Sequence, residues 1–268
     1  GQNAGYYNTT GQSNVIIGAS SGQNNTIGQN NIYIGYQAAL YQTAKGDNVA
    51  IGTGGLYGAS GEASSTEASV AIGFQAARGS SAGYGLTAVG RGALRNVSDS
   101  GSYSTAVGQN SGYYASGSYN TFLGALAGVG GTTSAPYSSG QKNTAVGYAA
   151  FDAFTTALQV TAIGHQAGSA LTSGGYNTFV GADAGQNVTT TLYGVGIGTE
   201  AHRSAGANSL IAIGYGALDA TNSTDALGSI GIGHAALGNM NSGIGNVAIG
   251  YAALGTEDSG DYNTAIGH

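Results

Sequence analysis

The 268-residue chain has no cysteine and no tryptophan, one proline and one methionine. Without cysteine it has no disulfide staple and no thiolate metal site. Charge is nearly as scarce: six basic and twelve acidic side chains give a net charge of −6, whereas about a quarter of an average domain is charged. So few cations argue against a nucleic-acid surface, which needs a clustered basic footprint. No apolar run approaches the roughly 20 residues of a membrane-spanning helix. A single proline beside 51 glycines excludes collagen, which needs glycine at every third position and abundant proline. Yet 41% of the residues are hydrophobic, too many for a disordered chain. The glycine therefore serves a packed structure.

That structure is a tandem repeat. One phrase recurs from end to end: NVIIG (14 to 18), NIYIG (31 to 35), NVAIG (48 to 52), NTFLG (120 to 124), NTAVG (143 to 147), NTFVG (177 to 181), NVAIG (246 to 250) and NTAIG (263 to 267). Weaker copies fill the gaps. The resulting anchor glycines are Gly18, Gly35, Gly52, Gly73, Gly90, Gly108, Gly124, Gly147, Gly164, Gly181, Gly198, Gly214, Gly233, Gly250 and Gly267, with Gly1 opening the series. Nine of the fifteen intervals are seventeen residues, and the two longest, Gly52 to Gly73 and Gly124 to Gly147, predict loop insertions at about 53–66 and 129–140, the second holding Pro136.

Columns of the repeat predict its geometry. An aliphatic residue precedes every anchor, and a β-branched residue stands three before it in all fifteen units, six successive copies being Thr87, Thr105, Thr121, Thr144, Thr161 and Thr178. Alternation at period two with β-branched residues predicts a short strand with one buried face. The two aliphatic columns are expected inside, and the position between them, alanine in nine units, outside. Alanine at the third position after the anchor in twelve units predicts a second inward segment per coil. An invariant glycine directly after a strand suits a corner at positive φ or one with no room for a Cβ. A second glycine seven residues before the anchor in nine units predicts another corner. The recurrent asparagine predicts side chains bonded to one another up a column. Together these give an all-β parallel solenoid of about 15 coils of about 17 residues, forming a single repeat domain over 1–268.

At this level of detail the residues resemble a known family. The units GYAALGTEDSGDYNTAIG (250 to 267) and GQNAGYYNTTGQSNVIIG (1 to 18) resemble the head repeats of trimeric autotransporter adhesins (YadA-like), and equally the NTAIG repeats of phage tail fibres and bacterial surface fibres. The seventeen-residue unit is longer than the usual adhesin coil and looks more like the fibre variant. The resemblance implies a left-handed β-roll that associates as a homotrimeric rod outside the cell or on a virion tail. It also implies a fragment of a longer fibre, which the absence of an initiator methionine and of any leader sequence at Gly1 equally predicts. Trimerisation has a physical motive too, since it would cover an uncharged column that a lone coil leaves exposed.

No catalytic constellation, cofactor site or metal site is legible, and the chain reads as non-enzymatic. It has no GxGxxG, neither lysine follows a glycine, and no aspartate column recurs as in calcium-binding β-rolls. His165, His234 and His268 follow anchors and are expected to be exposed and neutral in role, two or more coils apart. Eighteen tyrosines stand out. They either stack on neighbouring coils or offer flat apolar faces with a polar tip to a receptor. Candidate receptor contacts are Tyr57, Glu62, Tyr137, Tyr103 and Tyr119, and the expected partners are the chain itself and an unidentified glycan or protein at a surface. An ice-binding solenoid is the alternative suggested by the threonine ladder. It requires outward threonines, and the parity assigned above turns them inward.

Overall fold

The computed structural model describes residues 1–58, 66–80, 83–97, 102–134, 137–204, 206, 208–219, 227–256 and 259–268. Glu62 and Pro136 lie outside them. The chain divides into two compact units, Gly1–Gln141 and Lys142–His268. Each is a stack of coils carrying one three-residue strand per coil, placed where the aliphatic columns predict it. In the first unit these are β1 (Val15–Ile17), β2 (Ile32–Ile34), β3 (Val49–Ile51), β4 (Val70–Ile72), β5 (Thr87–Val89), β6 (Thr105–Val107) and β7 (Thr121–Leu123). In the second they are β8 (Thr144–Val146), β9 (Thr161–Ile163), β10 (Thr178–Val180), β11 (Val195–Ile197), β12 (Ile211–Ile213), β13 (Ile230–Ile232), β14 (Val247–Ile249) and β15 (Thr264–Ile266). Within each unit consecutive strands pair in parallel, column on column, as in Val15 with Ile32 and Thr161 with Thr178. The fold is a parallel β-solenoid of about thirteen stacked turns. None of the described residues forms a helix.

The anchor glycines are required twice over. Their φ values lie between 124° and 139°, a region essentially closed to residues with a Cβ. In addition, a Cβ on Gly164 would sit 2.3 Å from the Gly181 carbonyl oxygen, and anchors such as Gly35, Gly90, Gly198 and Gly250 meet the next anchor in the same way, while Gly267 in the last coil meets nothing. The second-corner glycines are selected differently. Gly11 and Gly28 have no positive φ, but a Cβ on either would lie 2.4 Å from a carbonyl of the next coil.

The expected parity is reversed. The middle residue of each strand points into the coil: Ala50, Ala71, Ala88, Ala106, Ala145, Ala162, Ala212 and Ala248 are fully buried, as are Tyr33, Phe122 and Phe179. The flanking β-branched and aliphatic columns point out and are half-buried or exposed. The opposite wall explains the reversal. After each anchor the chain makes turns rather than a second strand, with left-handed residues at the second and fourth positions, such as Gln75 and Ala77 or Asn110 and Gly112. This wall turns two successive side chains inward: the predicted alanine column (Ala38, Ala76, Ala93, Ala167) and the next residue, commonly Leu94, Leu218 or Leu237. The space left for the strand is one alanine deep. Where the strand contributes Phe122 or Phe179 instead, the wall gives up its side chain. A Cβ on Gly128 would lie 2.2 Å from the Phe122 ring, and one on Gly185 would lie 2.6 Å from Phe179. Where the strand has Gly196, the wall supplies His202, which is buried and edge-on to Phe179. The phenylalanine rings also reach the preceding coils, where a Cβ on Gly112 would lie 2.9 Å from Phe122 and one on Gly168 3.0 Å from Phe179, so large strand residues are matched by small wall residues, as close packing demands.

Asparagines of the anchor phrase fasten coils through backbone groups rather than through a ladder of side chains: Asn14 Oδ1 accepts the Asn31 backbone N–H at 2.9 Å, and Asn31 Oδ1 accepts that of Asn48 at 3.1 Å. Asn48 Oδ1 accepts the Ser69 N–H at 3.1 Å, and its Nδ2 donates to the Thr66 carbonyl at 2.8 Å. Asn177 does the same to the Gly194 N–H at 2.7 Å and the Thr191 carbonyl at 2.7 Å. Serine substitutes in part, since Ser69 Oγ accepts the Leu86 N–H at 3.0 Å. Asn48 is fully buried, so Asn48→Ala strands a donor and an acceptor at a cost of about 1–3 kcal/mol each. Denaturant titration is expected to show that loss, with Asn48→Ser recovering part of it through its hydroxyl. An alanine variant as stable as the parent would show that the clamp contributes nothing.

Candidate binding surfaces

Reversed parity gives the molecule its most distinctive surface. In each unit the strands present two outward columns. One holds only Ile, Val and Leu (Ile17, Ile72, Leu123, Ile163, Ile197), the other Thr, Val or Ile. Ile163 is 38% exposed and Leu123 48%. The face carries no charge in any coil. Stacked parallel strands repeat at about 4.8 Å, so each unit displays a continuous apolar strip. An uninterrupted surface of that kind is uncommon on a monomeric soluble protein. The column expected at a subunit interface was the alanine one, and it is core. The surface in need of cover is the aliphatic one. Threonines 87, 105, 121, 144, 161 and 178 also face outward, which removes the ground on which the ice-binding alternative was set aside.

Tyrosines form ladders of stacked rings. At the corner before the strand Tyr103 and Tyr119 lie 5.4 Å apart with their planes within 6°, and Tyr84 tilts onto Tyr103 at 5.3 Å. Tyr176 and Tyr193 repeat the pairing at 5.1 Å. Tyr103, Tyr119, Tyr176 and Tyr193 take left-handed φ of 54–63°, and the ring-on-ring contact offsets part of that strain. The faces meet one another, so edges and hydroxyls are what solvent sees. The described receptor candidates do not converge. Tyr57 pairs edge-on with Tyr41 at 5.2 Å and lies under Arg78, while Tyr137 stacks on Tyr114 at 5.9 Å.

A second ladder follows the anchors, where Tyr215, His234, Tyr251 and His268 stack at 4.9–5.1 Å. The histidines there are spaced by tyrosine rings, so they do not converge on a common ligand. His165 instead stacks on Tyr148 at 5.6 Å and lies 3.4 Å from Asp183. Among the described residues no group of three His, Asp or Glu is placed to hold a metal. Acids and cations pair locally: Lys45 with Glu67 at 2.9 Å, and Arg203 with Asp219 at 2.9 Å and Glu200 at 3.3 Å. Burial pushes the Asp219 carboxyl up, and the Arg203 guanidinium partly opposes the shift.

The sequence reading passed over the arginines. Arg78, Arg91 and Arg95 are half of the chain's six cations and fall within eighteen residues. Among the described residues none of the three is in an ion pair. That clustering was a usable signal, lost because the total was judged rather than its distribution. Of the described residues, no helix is long and apolar enough to cross a membrane. Compared with known proteins, the chain matches no family model, no curated protein and no solved structure.

Proposed function

We infer that this chain is a non-enzymatic structural segment of an extracellular fibre. In this reading it assembles as a homotrimer through the outward aliphatic column and mediates attachment to a cell or surface, as an adhesin head or a tail fibre. The observation that carries the reading is the unbroken Ile, Val and Leu column on the strand face, half-exposed in a single chain and free of charge. At about 25 cal/mol per Å² of apolar surface removed from water, covering such a strip in coil after coil is a strong drive to self-association. Three-fold closure follows from the resemblance to trimeric adhesin and fibre repeats. Attachment through three copies gains avidity without new chemistry at any one contact. Sedimentation equilibrium of the native particle is expected to give three times the 26.1 kDa of one chain. A monodisperse monomer that persists on concentration would sink the reading.

One observation favours a second reading. Outward threonines in three successive coils of each unit (Thr87, Thr105 and Thr121; Thr144, Thr161 and Thr178), each beside an outward aliphatic residue, put hydroxyls and methyl groups in register on the strand face. An ice-binding face uses such an array. It would work uncovered, so the two readings exclude each other on the same surface. A monomer with thermal hysteresis selects the ice-binding reading, and a trimer without it selects the fibre.

A further inference from the structure

In the first unit an open groove of about 260 Å³ crosses the turn wall beside β4 to β7. It is built from Phe74, Gln75, Arg91, Arg95, Asn110 and Tyr113. Its existence depends on Gly92. Adjacent coils carry Gln75 and Asn110 at the equivalent left-handed position, with φ of 56° and 55°. At Gly92, φ 66°, even a Cβ would come within 2.6 Å of Asn110 Oδ1 and 3.1 Å of the Tyr113 ring. Deleting one side chain from the ladder opens the cleft between its neighbours.

Chemistry of the groove is unlike that of the rest of the chain. Arg91 is exposed and lies 5.9 Å over the Phe74 ring, and Arg95 lies 5.2 Å over Tyr113 and donates to its hydroxyl. Arg95 Nε is buried and has no hydrogen-bond partner among the described residues. None of the residues lining the groove is acidic. Two guanidinium groups with no carboxylate partner among the described residues, on a chain of net charge −6, make a local positive site that draws in an anion. Guanidinium is planar and matches a carboxylate through two parallel N–H donors. Aromatic rings beside it suit the apolar face of a small ring, and the Gln75 and Asn110 amides suit hydroxyl groups. The volume falls just under the range of about 300–1,000 Å³ that holds drug-sized ligands, which favours a single sugar ring.

We propose that this groove binds a carboxylated sugar, a uronic or sialic acid residue of a surface glycan, with Arg91 and Arg95 on the carboxylate, Phe74 and Tyr113 against the ring, and Gln75 and Asn110 on its hydroxyls. A ligand of this class gives the attachment reading, on which it rests, a chemical target. It does not depend on the number of copies in the assembly.

The test is titration of the full chain, in its native assembly, with sialyllactose, glucuronic acid, neutral lactose and a sulfated disaccharide, observed by ligand-detected NMR. Binding of one or both carboxylated probes is expected, with lactose at least tenfold weaker. Arg91→Glu is expected to reduce affinity at least tenfold, and Gly92→Asn to abolish binding by filling the groove. Asparagine adopts that backbone conformation at Asn110 one coil later, the Asn110 amide must swing aside to admit the new side chain, and circular dichroism checks that each variant stays folded. Equal binding of lactose, preference for the sulfated probe, unchanged affinity in folded Arg91→Glu, or no saccharide bound at millimolar concentration would each overturn the proposal. Cell attachment retained by Arg91→Glu after the sugar is lost overturns the site's role in attachment and leaves the attachment reading intact. Sugar binding without attachment does the opposite.

Discussion

Replacing Gly164 by alanine is expected to destroy the coil in which it sits and to lower the stability of the second unit by more than about 4 kcal/mol, a loss reserved for severe backbone or core damage. Two costs combine. At φ 138° the new side chain is forced into a region that only glycine populates freely. Its Cβ would also be 2.3 Å from the Gly181 carbonyl oxygen and 2.6 Å from the carbonyl carbon. Relief would require two stacked coils to separate at the corner, which breaks the hydrogen bond from the Gly181 N–H to the Ile163 carbonyl at 2.8 Å and those that follow it. Gly216→Ala is the control. That glycine has φ 58°, and a Cβ there meets nothing within 4 Å, so the cost is the ordinary left-handed penalty of about 1 kcal/mol. Thermal and denaturant unfolding followed by far-ultraviolet circular dichroism separates the two. Equal losses would mean that the stacked carbonyl is not what selects glycine.

The second large effect distinguishes the two faces of one strand. Ala162 is fully buried and its neighbour Ile163 is 38% exposed. Lysine at Ala162 would place a long charged chain in a space one methyl group deep, and no carboxylate belongs to the core facing it. Burying an unpaired charge costs several kcal/mol, so Ala162→Lys is expected to prevent folding of the second unit. Ile163→Lys points to solvent and is expected to leave the solenoid spectrum intact. Combined with Ile197→Lys, it puts like charges into the surface proposed to close between copies, and the sedimenting mass should fall to that of a single chain. If Ile163→Lys unfolds the protein as Ala162→Lys does, the outward assignment of the aliphatic column is wrong. A folded double variant that keeps the parent mass would show that assembly uses another surface.

These two expectations locate the boundary between sequence and structure. The register of every strand was legible, since the invariant glycine after an aliphatic residue marks where each begins and ends. The in–out sense was not. Alternation at period two establishes that a strand has two faces; it does not say which one is covered. Size and branching argued for Ile and Val inside, and the turn wall overruled them by filling the coil with Leu94, Leu218, Leu237 and their equivalents. One trace of this was present in the sequence. Phe122 and Phe179 occur where glycine replaces the bulky wall residue at 128 and 185, and such compensation is expected only between positions that touch.

Candidate sites divide along the same line. Recurrence of asparagine signalled a structural role, but its partners are backbone groups in the next coil, brought within reach only by stacking. Tyrosine columns were visible, and of the two roles they allowed the rings take the stacked one, because coils repeat at a ring-stacking distance. The arginine groove combines residues of four coils and an absence at Gly92.

By itself, the sequence determined the period, the corner glycines, the strand positions and the parallel stacking, because each rests on a local backbone requirement that repeats every seventeen or so residues. Which side chains fill the core, which face seeks a partner and which distant residues share a groove were decided by the tertiary structure alone. Those depend on the space left between two walls of a coil, and no single repeat carries both measurements.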